Sequence, residues 1–156
     1  MSDQVIVGEF TALAVDDDLL FLDTLEAMLR GLGVKKIMRA DSGVNAYNAL
    51  AALNARIDCI ICDLKMPNGN GLQLLKAVRL GRFKLVRPDA CFIILSAIAH
   101  PLAVRTAAQL DVSFYLTKPI TPDGLKSGIA KARAKAFPLD FAKYTRTPVP
   151  ESVSAA

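Results

Sequence analysis

Asp63 ends an apolar run, Ile57 to Cys62, and leads directly into a turn-rich stretch, Lys65-Met66-Pro67-Asn68-Gly69-Asn70-Gly71. A carboxylate at the carboxyl end of a buried strand, followed by a loop, occupies the place where open α/β sheets hold their ligands. A second acidic group follows another apolar run in the same way, with Leu13-Ala14-Val15 leading into Asp16-Asp17-Asp18. If the two strands lie side by side and parallel, three or four carboxylates meet at one sheet edge. Such a pair costs about 4 kcal/mol at roughly 4 Å and an effective dielectric of about 20, so a cation has to offset it. Hard oxygen donors suit Mg²⁺ or Mn²⁺, which keep several waters and take one or two protein carboxylates, leaving room for a phosphoryl group.

Two further polar residues stand at the ends of apolar runs. Cys91 to Leu95 stops at Ser96, and Phe114 to Thr117 stops at Lys118-Pro119. A hydroxyl can donate to a phosphoryl oxygen, and an ammonium can pair with it as a point charge. Four strand ends therefore offer acid, acid, hydroxyl and amine. Each has a plainer reading alone: Asp18 as the N-cap of a helix, Ser96 as a strand-end hydroxyl, Lys118 as a solvated lysine.

The elements that must position these groups alternate between strand and helix. Strands are expected at 10–15, 36–40, 57–62, 91–95 and 112–116. Helices are expected from Leu19 to Leu32, from an N-cap at Ser42 to about Asn54, from Asn70 or Gly71 to about Leu80, from Pro101 to about Leu110, and from Thr121-Pro122-Asp123 to about Ala136. The stretch from Arg79 to Pro88 reads as a basic loop. Five strands and five helices in strict alternation imply a parallel sheet with helices on both faces.

The chain resembles the receiver domain of bacterial two-component response regulators. The resemblance rests on Val15-Asp16-Asp17, on Asp63 with Met66-Pro67 and Gly71, on Ser96-Ala97, and on Tyr115-Leu116-Thr117-Lys118-Pro119. The separations are 46 residues from Asp17 to Asp63, 33 from Asp63 to Ser96 and 22 from Ser96 to Lys118. Each gap accommodates a helix and its returning strand. The match spans residues 10–136, leaving 1–9 as an N-terminal extension and 137–156 as a tail. It implies a flavodoxin-like doubly wound sheet of order 2-1-3-4-5, which pattern alone leaves open.

By resemblance, Asp63 is the phosphoacceptor, attacking the phosphorus of a phosphohistidine on a histidine kinase or histidine phosphotransfer protein. Asp17 binds Mg²⁺ directly, Asp16 directly or through water, and Asp63 and the backbone carbonyl of Lys65 complete the protein's share. Lys118 contacts the phosphoryl group and Ser96 donates to it. Ser96 and Tyr115 form the switch, with the Tyr115 ring turning inward and reshaping a downstream-target surface made by the fourth helix, fifth strand and fifth helix. Lys65 stands two residues after Asp63, and Ala97 and Ile98 leave that side of the site apolar. Lys65 is expected to alter the lifetime of the aspartyl phosphate in either direction, and the apolar Ala97 and Ile98, offering no acid or amide to assist hydrolysis, imply slow self-dephosphorylation.

Composition agrees with this class without specifying it. A chain of 156 residues that is 53% hydrophobic can bury one substantial core. No stretch of apolar residues is long enough to span a bilayer and Met1-Ser2-Asp3-Gln4 lacks a basic leader, so a cytoplasmic protein is expected. Three cysteines argue against a disulfide framework. Cys59 and Cys62 are three apart on a strand, point to opposite faces, and read as core.

Pro138, Pro148 and Pro150 give the tail the composition of a flexible segment, and Phe137, Phe141 and Tyr144 within it either dock back or engage a partner. About twenty residues are too few for an output domain. The expectation is a single-domain regulator acting by phosphorylation-dependent binding, with a phosphorelay intermediate, a phosphate sink or a fragment of a larger regulator as alternatives. Residues 126–146 carry a net charge of +5, six basic residues against Asp140. Without a groove-entering motif this reads as a solvated helix face rather than a nucleic-acid site.

Overall fold

The computed structural model describes residues 9–97 and 100–151. Five strands, β1 (Thr11–Val15), β2 (Lys36–Ala40), β3 (Cys59–Asp63), β4 (Cys91–Ser96) and β5 (Phe114–Thr117), form one sheet. The order is β2-β1-β3-β4-β5 and every pairing is parallel. This is the flavodoxin-like order expected from the resemblance. The helices are α1 (Leu19–Gly31), α2 (Gly43–Ala51), α3 (Gly71–Arg79), α4 (Pro101–Gln109), α5 (Pro122–Ala134) and α6 (Phe141–Arg146).

Side-chain alternation divides the core in two. Leu13, Val15, Ile60, Cys62, Phe92 and Ile94 face α2, α3, α4 and α6, whereas Ala12, Ala14, Cys59, Ile61, Ile93 and Leu95 face α1 and α5. Cys59 and Cys62 thus lie in opposite clusters, both fully buried, as their spacing predicts. The alternation says nothing of neighbours across strands: β3–β4 register pairs Cys59 with Cys91, bringing their Sγ atoms to 2.8 Å.

Local signals set the helix starts. Asp18 accepts from the Leu20 and Phe21 amides, Ser42 from Asn45, and Thr121 from Gly124. Asn70 forms a reciprocal capping box with Gln73. Gly71 has a steric reason, because a Cβ there would lie 2.6 Å from the Asp63 carbonyl oxygen. That close approach lets α3 begin immediately behind the end of β3.

Two expectations are corrected. The stretch from Arg79 was read as a basic loop, but Arg79 ends α3 and is fully buried. Its guanidinium donates to the carbonyls of Pro88, Ala90, Leu110 and Asp111 at 2.8–3.2 Å. Burial lowers its pKa to about 10 against the opposing influence of Tyr144 and Asp111, so it stays a cation at neutral pH. The tail was read as flexible with five helices in all, yet residues 137–151 pack against the domain and contribute a sixth helix. Tyr144 is fully buried, and its hydroxyl donates to Asp111 Oδ2 at 2.6 Å. The proline-rich composition lowers helix propensity, but a buried aromatic and its hydrogen bond outweigh that locally. Residues 1–8 and 152–156 lie outside the described residues.

Replacing Arg79 by Met leaves several buried carbonyls without donors, and a loss of about 3–5 kcal/mol is expected in urea unfolding. A loss below about 1 kcal/mol would mean that water replaces the guanidinium without penalty.

Candidate functional site

Register assembles the site. Val15 pairs with Cys62, so the next residues, Asp16 and Asp63, stand side by side at the carboxyl ends of β1 and β3. Ser96 pairs with Thr117, which puts Lys118 one step beyond β5. Continuing the alternation, Asp16, Asp63 and Lys118 project on the α1–α5 side, whereas Ser96 and Tyr115 share the opposite side. Carboxylate oxygens of Asp16, Asp17 and Asp63 all lie within 4.8 Å of one another.

Lys118 ties the acids together. Its Nζ donates to Asp16 Oδ2 at 2.7 Å and lies 3.4 Å from Asp63 Oδ1. The ammonium also sits over the Phe21 ring, 4.1 Å from its centroid. The backbone amide of Lys118 donates to the Ser96 carbonyl at 2.7 Å, fixing where the side chain starts. Asp16 is 1% exposed and its Oδ1 accepts from the Asp18 amide at 2.9 Å. Asp17 is exposed and Asp63 is 8% exposed. The pocket therefore has a buried floor and an open side.

The electrostatics follow from these distances. Burial raises the Asp63 pKa to about 6, helped by the charge of Asp16 and opposed by Lys118. Burial alone would lower the Lys118 pKa, but its hydrogen bond with Asp16 and the charges of Asp63 and Asp16 outweigh this and raise it. The asymmetry is geometric: Lys118 is held closest by Asp16, so only part of its charge is left for Asp63. An elevated carboxyl pKa beside a saturated lysine marks unmet demand for positive charge.

The donors are all hard oxygens, and octahedral Mg²⁺ with bonds of about 2.1 Å separates its ligands by about 3–4 Å. Three carboxylates within 4.8 Å fit such an ion after slight contraction or with a bridging water. Exposed Lys65 lines, with Asp17, Met66 and Pro67, a cleft of about 430 Å³ beside the acids. Ser96 is 5% exposed at the end of β4. The Tyr115 ring packs against the cluster that faces α2, α3 and α4, with its hydroxyl buried. Burial raises its pKa, with Ser96 close enough to oppose the shift. Ile98 lies outside the described residues.

Residues 12–130 match the response regulator receiver domain. The chain belongs to that family. It is 36% identical over 115 residues to the chemotaxis protein CheY1 of Helicobacter pylori strain J99, covering 73% of this chain and 89% of that protein. It is 30% identical over 131 residues to the transcriptional regulatory protein ZraR of Salmonella typhimurium, covering 83% of this chain but only 28% of that protein. The chemotaxis protein CheY4 of Vibrio cholerae superposes with a TM-score of 0.68 at 25% identity, over 80% of this chain and 99% of CheY4. Among the described residues no helix is long and apolar enough to cross a membrane.

Sequence reasoning missed Phe21. The signal was available only after the fold, because Phe21 lies on the first turns of α1 and meets Lys118 through space. Asp18, by contrast, is the helix cap that its residue type favours.

The raised Asp63 pKa fixes a sign for stability. The folded protein binds this proton more tightly than the unfolded chain does, so the contribution is fully present below about pH 4 and is lost as pH rises through about 6. In the absence of divalent ions, Asp63→Asn is expected to stabilise the fold by about 1–2 kcal/mol at pH 8 and to be neutral near pH 4. Urea unfolding at the two pH values checks this, and equal effects at both would contradict the burial argument.

Proposed function

We propose that this receiver accepts a phosphoryl group on Asp63 from a histidine kinase or histidine phosphotransfer protein and signals by phosphorylation-dependent protein binding. The observation that carries the reading is the convergence of Asp16, Asp17 and Asp63 with Lys118 reaching two of them. In the reaction an Asp63 carboxylate oxygen attacks phosphorus, a P–O bond forms as the P–N bond to imidazole breaks, and the departing nitrogen keeps the electron pair. Phosphoryl transfer is loose and needs mainly positioning and charge neutralisation.

Asp16, Asp17, Asp63 and the Lys65 carbonyl would hold Mg²⁺, or Mn²⁺. The bound cation supplies neutralisation of the phosphoryl oxygens. Lys118 exchanges part of its contact with Asp16 and Asp63 for a phosphoryl oxygen, and Ser96 donates to another. Phosphorylation adds about −1.5 to −2 charge and three acceptors where Asp63 stood. Drawing Ser96 toward them disturbs its packing beside Tyr115, and this biases the surface of α4, β5 and α5. Leu102 and Val104 on α4 are 51% and 38% exposed, giving that surface apolar contacts for a protein target. The similarity to ZraR favours one further reading, that the same chemistry operates within a larger regulator.

Incubation with acetyl phosphate and Mg²⁺ is expected to add the mass of one phosphoryl group to the native chain, and none to Asp63→Asn or to native chain in excess chelator. An equal gain on Asp63→Asn would overturn the assignment. Lys65 stands where water reaches the acyl phosphate, so Lys65→Ala is expected to change the rate of phosphoryl decay at least threefold. An unchanged decay would remove the Lys65 side chain, though not its backbone carbonyl, from a role in the site.

A further inference from the structure

The segment after α5 follows α3 along its whole length. It starts beneath the sheet, where Lys135 Nζ donates to the Val112 carbonyl at 2.6 Å and the Phe137 ring lies 4.9 Å from the Arg79 guanidinium carbon. At Asp111 it is anchored twice, by the Tyr144 hydroxyl at 2.6 Å and by Lys143 Nζ at 3.0 Å. Halfway along α3, Lys76 Nζ donates to the Thr147 carbonyl at 2.7 Å, and Val149 packs against the core. At the start of α3 the Asn70 side chain donates to the Pro150 carbonyl at 2.8 Å. The next residue, Glu151, lines the cleft that Asp17, Lys65, Met66 and Pro67 share.

Its two ends are held differently. The root is multiply bonded, with Arg79 and Tyr144 fully buried and Asp111 partly buried. Thr147 still belongs to the root, buried and bonded to Lys143, Tyr144 and Lys76, whereas among the described residues the tip, 148–151, has one hydrogen bond from Asn70, a half-buried Val149 and an exposed carboxylate beside the acidic pocket. The tip is thus the part that opens at least cost, and its charge makes opening depend on the pocket.

We propose that residues 148–151 form a strap on the phosphoacceptor site, with Glu151 as a positioning residue, closed when the pocket holds a divalent cation and released when Asp63 is phosphorylated. The proposal rests on the phosphoacceptor reading. A dication in the pocket attracts the Glu151 carboxylate at the rim of the cleft. An acyl phosphate replaces one negative charge with up to two at the same place and weakens that attraction. Release frees the start of α3 around Asn70 and widens the mouth of the cleft, so a partner would meet a different face of the phosphorylated protein.

Methyl NMR of Val149 in the full chain, with Mg²⁺ alone and with Mg²⁺ plus beryllofluoride, tests this alongside phosphoryl incorporation from acetyl phosphate measured by mass. The expected result is that the Val149 methyls leave their core-packed shifts with beryllofluoride. In Glu151→Gln the displacement shrinks by at least half and the Mg²⁺ dissociation constant rises about twofold, as expected for loss of one screened charge. Glu151→Asp restores both, which a packing role alone would not produce. Val149 resonances that stay fixed while the native chain takes up a phosphoryl group overturn the strap and leave the phosphoacceptor standing. A native chain that takes up none overturns both.

Discussion

Three carboxylates held at one sheet edge with a single ammonium between two of them is the constraint around which this molecule is arranged. Lys118 is pulled most strongly by Asp16, at 2.7 Å, and less by Asp63, at 3.4 Å. Burial and the neighbouring Asp16 charge outweigh Lys118 at Asp63 and raise its pKa. Proteins rarely retain repulsion of this kind without a use. A divalent cation among these hard oxygens would relieve it.

Holding those groups in place is the work of elements remote from the chemistry. Parallel register sets Asp16 beside Asp63, and the same alternation sends Ser96 and Tyr115 to the other face of the sheet. Gly71 lets α3 start against the Asp63 carbonyl. Arg79, at the far end of α3, gathers carbonyls from the loops before β4 and β5. α3 is therefore fixed at both ends, and the C-terminal segment lies along it from Arg79 to Asn70.

Several assignments could be read directly from residue types. Asp18, Ser42 and Thr121 are caps because their side chains satisfy amides within their own turn, an interaction only a few residues long. The alternation of apolar runs and turn residues located all five strands, with ends off by one or two residues. Arg79 was misread because a cation next to Gly81 and Pro88 has the local signature of an exposed loop. Its burial depends on carbonyls up to 32 residues away. The same is true of Tyr144, whose partner Asp111 is 33 residues distant, and of the Cys59–Cys91 pair, which only strand register could bring together.

The linear chain therefore determined the element types, the helix caps and the four polar residues that end apolar runs, since each depends on the side chain and its near neighbours. Tertiary structure decided how Lys118 divides itself between Asp16 and Asp63, that Phe21 lies under its ammonium, and that residues 137–151 pack instead of hanging free. These depend on distances between segments far apart in the chain. A difference of less than 1 Å between two ion-pair contacts, or one buried tyrosine, is enough to settle them, and neither has a local signature.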